Sequence, residues 1–244
     1  IIFLNYISLF YMIILLLLLA IFIIILAIVN KKEHMEIPKK KIAFCFIIYD
    51  KINNEELWND FFKNINKDKY NIYVHYKVNK PLKYYEKNKL KVNISNTNWC
   101  GPSIVKAQNL LLREAYKDVN NQHFIFISNS CIPIKSFNYI YRNLNYKFSY
   151  FYFTKGTIRN TKFEDIQAYK ASQWCILNRK HTFLLLKNNH IFNKIFKYFT
   201  EVGRGKNNNK NGIIGCPDEY TYITILNYLN LQKEIINTEN YSIL

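Results

Sequence analysis

Acidic residues are scarce in this 244-residue chain, 17 against 34 basic ones, and glycine and proline are scarcer still, at 6 and 5. The glycines make neither G-x-G-x-x-G nor G-x-x-x-x-G-K-[ST]. That removes the backbone cradles on which a dinucleotide or a nucleoside triphosphate is normally held. No His-x-x-x-His pair and no Gly-x-Ser-x-Gly elbow occurs, which excludes the common zinc-hydrolase and serine-hydrolase signatures. The five cysteines (45, 100, 131, 175, 216) form no C-x-x-C pair, so a zinc knuckle is not expected. Asp-x-Asp is absent throughout, leaving a divalent cation without an obvious pair of hard ligands.

What the chain has in quantity is apolar and basic. Half of it is hydrophobic and 17% aromatic, enough for a packed core, which excludes wholesale disorder. The formal charge of +17 would suit an acidic partner: nucleic acid, anionic lipid or a phosphorylated small molecule. The lysines are scattered, however, in a chain crowded with Lys, Asn, Ile and Tyr. No Arg-rich arm, zinc-finger spacing or glycine-aromatic RNA-binding signature accompanies them, so nucleic acid is not an expected partner. The run Gly203-Arg204-Gly205-Lys206, next to Asn207–Asn209, reads as a surface connection.

One stretch is free of charge, glycine and proline: Tyr11–Val29, "YMIILLLLLAIFIIILAIV". At about 1.5 Å per residue it matches the hydrocarbon core of a bilayer, and a cleavable signal peptide has a shorter apolar region. Residues 1–30 are expected to form a membrane anchor, 31–40 a basic linker, and 41–244 a globular domain. Lys31, Lys32, Lys39, Lys40 and Lys41 follow the span, which by the positive-inside rule puts that domain in the cytoplasm. The first residue is Ile1 rather than Met, and Asn240–Leu244 stops in a strand-like run, so both ends are expected to be cut. Two sequons, Asn93-Ile94-Ser95 and Asn240-Tyr241-Ser242, would permit glycosylation in a lumen.

Beyond the linker the pattern alternates between strand and helix. "KIAFCFII" (Lys41–Ile48) is short and continuously apolar, as a strand buried on both faces should be. "EELWNDFFKNI" (Glu55–Ile65) carries apolar residues at helical spacing. "NIYVHY" (Asn71–Tyr76) and "LKVNI" (Leu90–Ile94) read as strands, and Pro102 opens a helix. "HFIFIS" (His123–Ser128) is a buried strand, Ser136–Leu144 a capped helix, and Phe148–Phe153 alternates again. This order predicts an α/β domain with a largely parallel sheet flanked by helices, and in such sheets ligands bind beyond the strands' carboxyl ends. Near the end, "GCPDEYTY" places Asp218 and Glu219 in the first turn of a proline-opened helix. They complement its dipole there, and one of them could also serve as a base.

Six stretches in order carry a resemblance: "KIAFCFIIYDK", "YNIYVHYK", "TNWCGPSIVKAQNLLL", "NQHFIFISNSCIPIKSFNYIYRNL", "ASQWCILNRK" and "CPDEYTYITIL". Together they resemble the core-2/I-branching β-1,6-N-acetylglucosaminyltransferases, including the divergent plant-type and large-virus-type members, from about Lys41 to Leu229. The resemblance implies a variant GT-A fold on a single-span secretory (Golgi) membrane protein. It further implies inverting transfer of a sugar, GlcNAc foremost, from a UDP-sugar to an acceptor hydroxyl without a divalent metal or other cofactor.

Residue by residue, the resemblance places Ile47, Ile48 and Tyr49 against the donor nucleotide and His75, Tyr76 and Lys77 against the uridine. His75 stands where relatives can carry aspartate. Trp99 falls at an aromatic donor contact, and Lys170, Ser172, Gln173 and Trp174 border the acceptor cleft, with Arg159 a further candidate. Glu219 falls on the catalytic base, with Asp218 its structural neighbour. Family members use cationic side chains in place of metal, and those lie beyond the base helix. Lys206, Arg204 and Lys210 could stand in for them but are not expected to. A membrane-bound carbohydrate-binding relative without turnover is the alternative, and luminal placement of the family conflicts with the lysines after the span.

Overall fold

The computed structural model describes residues 13–26, 40–93, 96–153, 158–163, 166–202 and 216–238. The chain divides into two units, Ile1–Lys39 and Lys40–Leu244. In the first, residues 13–26 are helical and their apolar side chains are exposed. No helix among the described residues is long and apolar enough to cross a membrane. The remainder of the expected span, residues 11–12 and 27–29, and most of the linker lie outside them.

The second unit is α/β. Its sheet is built from β1 (Lys41–Ile48), β2 (Tyr70–Tyr76), β3 (Asn121–Ser128), β4 (Ser149–Phe151), β7 (Ile176–Asn178) and β8 (Ile235–Asn237) in the order β2-β1-β3-β7-β4-β8. β1 pairs in parallel with both β2 and β3, and β4 pairs in parallel with β8. β7 runs antiparallel to β3 and to β4, so every other strand points the same way. A separate antiparallel hairpin joins β5 (Ile158–Phe163) to β6 (Ile166–Tyr169).

The alternation of side chains along β1 explains why it reads as one apolar run. Ile42, Phe44, Phe46 and Ile48 enter one cluster with Trp58 and Phe62 of α1 (Glu55–Phe62) and Phe137 and Ile140 of α3 (Phe137–Asn143). Ala43 and Cys45 face the other, with Val105, Leu111 and Leu112 of α2 (Pro102–Tyr116), Leu185 of α4 (Arg179–Lys187) and Tyr220, Ile223 and Leu226 of α6 (Pro217–Tyr228). Phe192 of α5 (Asn189–Val202) joins this second cluster. A strand with helices on both faces has no polar side to show. Trp58 and Phe44–Phe62 edge contacts, with ring centroids 4.9 Å apart for the latter, fill the first cluster with aromatic area.

The predicted helices at Glu55, Pro102, Ser136 and Pro217 form, each ending within a few residues of its sequence signal. Ser136 caps α3 by accepting from the Tyr139 amide at 3.3 Å. Of the expected strand Leu90–Ile94, Ile94 lies outside the described residues and the rest forms no strand: Leu90 N donates to Val74 O at 2.8 Å, an isolated rung beside β2. The antiparallel β7 and the β5–β6 hairpin were not anticipated, because three-residue and polar strands carry too little periodicity to read.

Candidate active site

Strands β1, β2 and β3 end level with one another, Ile48 opposite Tyr76 and Ile47 opposite Ser128. Their carboxyl ends therefore share one rim, and the site grows outward from it. The amides of Lys77 and Val78 close onto Tyr49 O at 3.0 and 2.7 Å, fastening the exits of β1 and β2 together. The Lys77 ammonium lies 5.5 Å from the Tyr49 ring centroid and donates to Thr97 O at 2.6 Å. That bond brings in the segment before α2. There a turn from Asn98 to Gly101, closed by Gly101 N to Asn98 O at 3.0 Å, carries Trp99 at its tip, 91% exposed.

The next link is covalent. Cys100 is joined to Cys216 across 116 residues, with their Cα atoms 4.4 Å apart. Cys216 is the N-cap of α6, so the turn that carries Trp99, one residue from one sulfur, is tied to the start of the helix that carries Glu219, three residues from the other. Sequence reasoning left the cysteine pairing open. The available signal was that each of these cysteines sits just before a proline that opens a buried helix, Cys100-Gly101-Pro102 and Cys216-Pro217.

Glu219 is half-buried, and its carboxylate pairs with the Lys170 ammonium at 3.1 Å. The pair is held from behind by backbone. Ala171 N donates to Glu219 O at 2.9 Å, and Tyr169 N donates to Thr224 Oγ1 at 3.0 Å one turn further along α6. Ser172 N reaches Tyr152 O at 2.8 Å, and Gln173 O accepts from Gln108 Nε2 of α2 at 3.3 Å. The strand β6 and the residues after it are thus laced to α6, β4 and α2 together. Lys170 pairs with Glu219 directly, and Ser172, Gln173 and the partly buried Trp174 follow it along the chain, with Ser172 tied to Tyr152 and Gln173 to Gln108.

Asp218 has a different environment. It is 7% exposed, its Oδ1 has no hydrogen-bond partner, and burial, with Glu219 beside it adding repulsion, pushes its carboxyl up to about 6. Two adjacent acids in one helical turn are thereby separated in role, one at the surface beside a cation and one in the core.

The other candidates are placed less uniformly. Tyr49 is exposed, and Tyr76 and Lys77 are partly so, but Ile48 and His75 are buried in the wall beneath. Burial lowers the His75 imidazole to about 4, so it is neutral near pH 7. His75, opposite Ile47 of β1, is fully buried and shows no surface to a ligand. Ile47 is partly buried on the helix-α2 face. Arg159 belongs to β5, and its side chain lies outside the described residues, as do Arg204, Lys206 and Lys210. Asn93 Nδ2, the atom a glycan would need, donates to Tyr76 O at 2.9 Å.

Where an Asp-x-Asp would be sought, Ser128-Asn129-Ser130 folds back on the β1–α1 connection. Asn53 N donates to Asn129 O at 2.9 Å, and Asn53 Nδ2 to Ser130 Oγ at 3.3 Å. Asp50, at the exit of β1, is held by Lys80 at 2.6 Å, which keeps its carboxyl below the usual range. Among the described residues no group of three or more His, Cys, Asp or Glu side chains is arranged to hold a metal ion.

Over 174 residues the chain is 27% identical to the glycosyltransferase BC10 of Oryza sativa subsp. japonica, a match that covers 65% of this chain and 43% of that protein. The chain thus spans less than half the length of this relative. The model of the core-2/I-branching enzyme family matches residues 42–240, nearly all of the second unit, and the chain belongs to that family of glycosyltransferases.

Proposed function

We propose that the chain transfers a sugar, GlcNAc from UDP-GlcNAc in the first instance, to an acceptor hydroxyl by one inverting displacement with Glu219 as the base. The observation that supports this reading is the setting of Glu219: a half-exposed carboxylate in the first turn of a buried helix, beside the Lys170 ammonium, on a helix whose N-cap is disulfide-bonded to the turn after Thr97, which Lys77 holds. Glu219 takes the proton of the acceptor hydroxyl as that oxygen attacks the anomeric carbon. The bond to the nucleotide breaks on the opposite face, and UDP leaves with the electron pair. Lys170 fixes the carboxylate's direction, which matters because a general base works only within hydrogen-bond reach of its proton. In this reading Tyr49, Tyr76, Lys77 and Trp99 flank the donor, while Ser172, Gln173, Trp174 and Arg159 border the acceptor.

Cationic side chains rather than a metal ion would balance the diphosphate. Lys77 lies at this rim, and Arg204, Lys206 and Lys210 lie in the segment leading into α6. The Cys100–Cys216 bond favours an oxidising compartment, hence a luminal domain behind a membrane anchor at residues 1–30. That argument weighs against the lysines after the span, because a disulfide reports on the folded domain itself and a lysine count reports only on composition.

The test is UDP release from UDP-GlcNAc in the presence of sugar acceptors, with and without EDTA. Turnover that survives EDTA and falls about a hundredfold or more in Glu219→Gln is expected. Undiminished turnover by Glu219→Gln refutes the assignment. Nucleotide-sugar binding without release identifies the chain as a carbohydrate-binding relative.

A further inference from the structure

The turn that carries Trp99 is built in a way its sequence alone would not favour. Cys100 has a φ of 56°, at the third position of the turn, where glycine or asparagine is the ordinary choice. Gly101 follows in a position that admits no side chain, since a Cβ there would meet Asn98 O at 2.9 Å. The turn's other ties are few: Asn98 N to Ser103 Oγ at 2.9 Å and the Lys77 ammonium on Thr97 O. Trp99 itself, at 91% exposure, has almost no packing to hold it. A cysteine in a left-handed conformation is an unfavourable residue unless its sulfur is needed, and here the sulfur is bonded to the N-cap of the helix that carries Glu219.

We propose that the Cys100–Cys216 bond is a latch that fixes Trp99 as an aromatic platform for the nucleotide-sugar donor at a set distance from Glu219. Donor binding then depends on the oxidised state of the protein while the fold does not. Cys100 and Cys216 are positioning residues, and Trp99 is the group that meets the ligand. The latch rests on the glycosyl-transfer reading above. The two cores on either side of the sheet, with α2 and α6 both buried in one of them, would survive opening of the bond. A dithiol opens it by supplying two electrons and two protons, leaving a thiol at each cysteine and the reagent as its cyclic disulfide. Opening frees the turn to leave its left-handed conformation and carries Trp99 away from α6.

The experiment compares the oxidised chain, the chain reduced with dithiothreitol, Cys100→Ser/Cys216→Ser, and Trp99→Ala in the oxidised protein. Serine at position 100 keeps the penalty of a left-handed conformation, so the double variant loses the bond and with it what holds the turn in that conformation. Circular dichroism at the assay temperature reports whether each form is folded, and dithiothreitol on the native sequence serves if the double variant does not fold. UDP-GlcNAc affinity is read by calorimetry, and KM and kcat by UDP release. The expected result is a roughly tenfold loss of donor affinity and rise in KM in both bond-free forms, with kcat changed less. Trp99→Ala should show the same loss, and adding Trp99→Ala to the bond-free forms should cost nothing more, because the two changes remove one contact.

Unchanged affinity in a folded bond-free form overturns the latch, as do fully additive losses. An oxidised chain that binds UDP-GlcNAc but releases no UDP refutes the transfer reading, and the affinity comparison still decides the latch. An oxidised chain that binds no UDP-GlcNAc overturns the latch directly.

Discussion

Asp218→Asn should stabilise the protein at neutral pH and do nothing for it in acid. The side chain is 7% exposed, its Oδ1 is unpartnered, and its carboxyl is raised from 3.8 to about 6 by burial first and by the charge of Glu219 after that. A shift of about two units at roughly 1.4 kcal/mol each means that ionised Asp218 costs the folded state about 3 kcal/mol at pH 7.5. Its place in the first turn of α6 returns only about 0.3–1 kcal/mol through the helix dipole, so desolvation wins. The sign follows from linkage: a folded pKa above the unfolded one gives stability that is complete below pH 3.8 and is lost as pH rises through about 6. Asparagine has the shape of the protonated acid and never ionises. Its gain should be about 3 kcal/mol at pH 7.5, or roughly 6–12 °C in Tm for a domain of this size, and should shrink toward zero near pH 4. Urea titrations and thermal melts at the two pH values, without reductant, make the comparison. Equal effects at both pH values, or destabilisation at pH 7.5, would show that the carboxylate is satisfied by a partner and that the desolvation argument is wrong.

Two further outcomes are expected. Lys170→Ala should change stability by less than about 1 kcal/mol, since its ion pair with Glu219 is about one-third exposed on both sides. It should still lower kcat about tenfold by freeing the carboxylate, which a stopped assay of UDP release measures; a stability loss above 2 kcal/mol with normal kcat would reverse that assignment. Acid should destabilise the wild-type fold between about pH 6.5 and pH 4, because His75 and His123 are fully buried and burial lowers each to about 4. Their folded pKa values lie below the unfolded one, so the unfolded chain takes up more protons over that window and stability falls with pH. A urea midpoint that stays flat from pH 6.5 to pH 4.5 in the Asp218→Asn background would contradict this.

The sequence was most legible where a single physical demand dominates a segment. β1 must be apolar on both faces, and "KIAFCFII" can satisfy nothing else. Pro102 and Pro217 open α2 and α6 because their missing N–H and fixed φ suit a first helical turn. The acid pair at 218–219 marked a helix start, and the resemblance of the surrounding motif drew attention to Glu219. Patterning of this kind is local, and it determined the class of fold and the list of residues worth watching.

Tertiary structure decided what those residues have in common. Which of the two acids is exposed depends on how α6 packs, since neighbours in sequence differ in burial only when a helix presents one and not the other. His75 reads as a rim residue from its place at the end of β2, yet it is fully buried, where the other residues of its strand face, Asn71 and Tyr73, are only partly so. Of the strand expected at Leu90–Ile94, the described part makes no more than one backbone rung beside β2, a pairing that only the packed sheet edge decides. Cysteine spacing could not reveal that positions 100 and 216 lie 4.4 Å apart at their Cα atoms. Pairing over that distance in sequence is set by where two helices begin after folding, and that long-range closure is what ties the turn carrying Trp99 to the helix carrying Glu219.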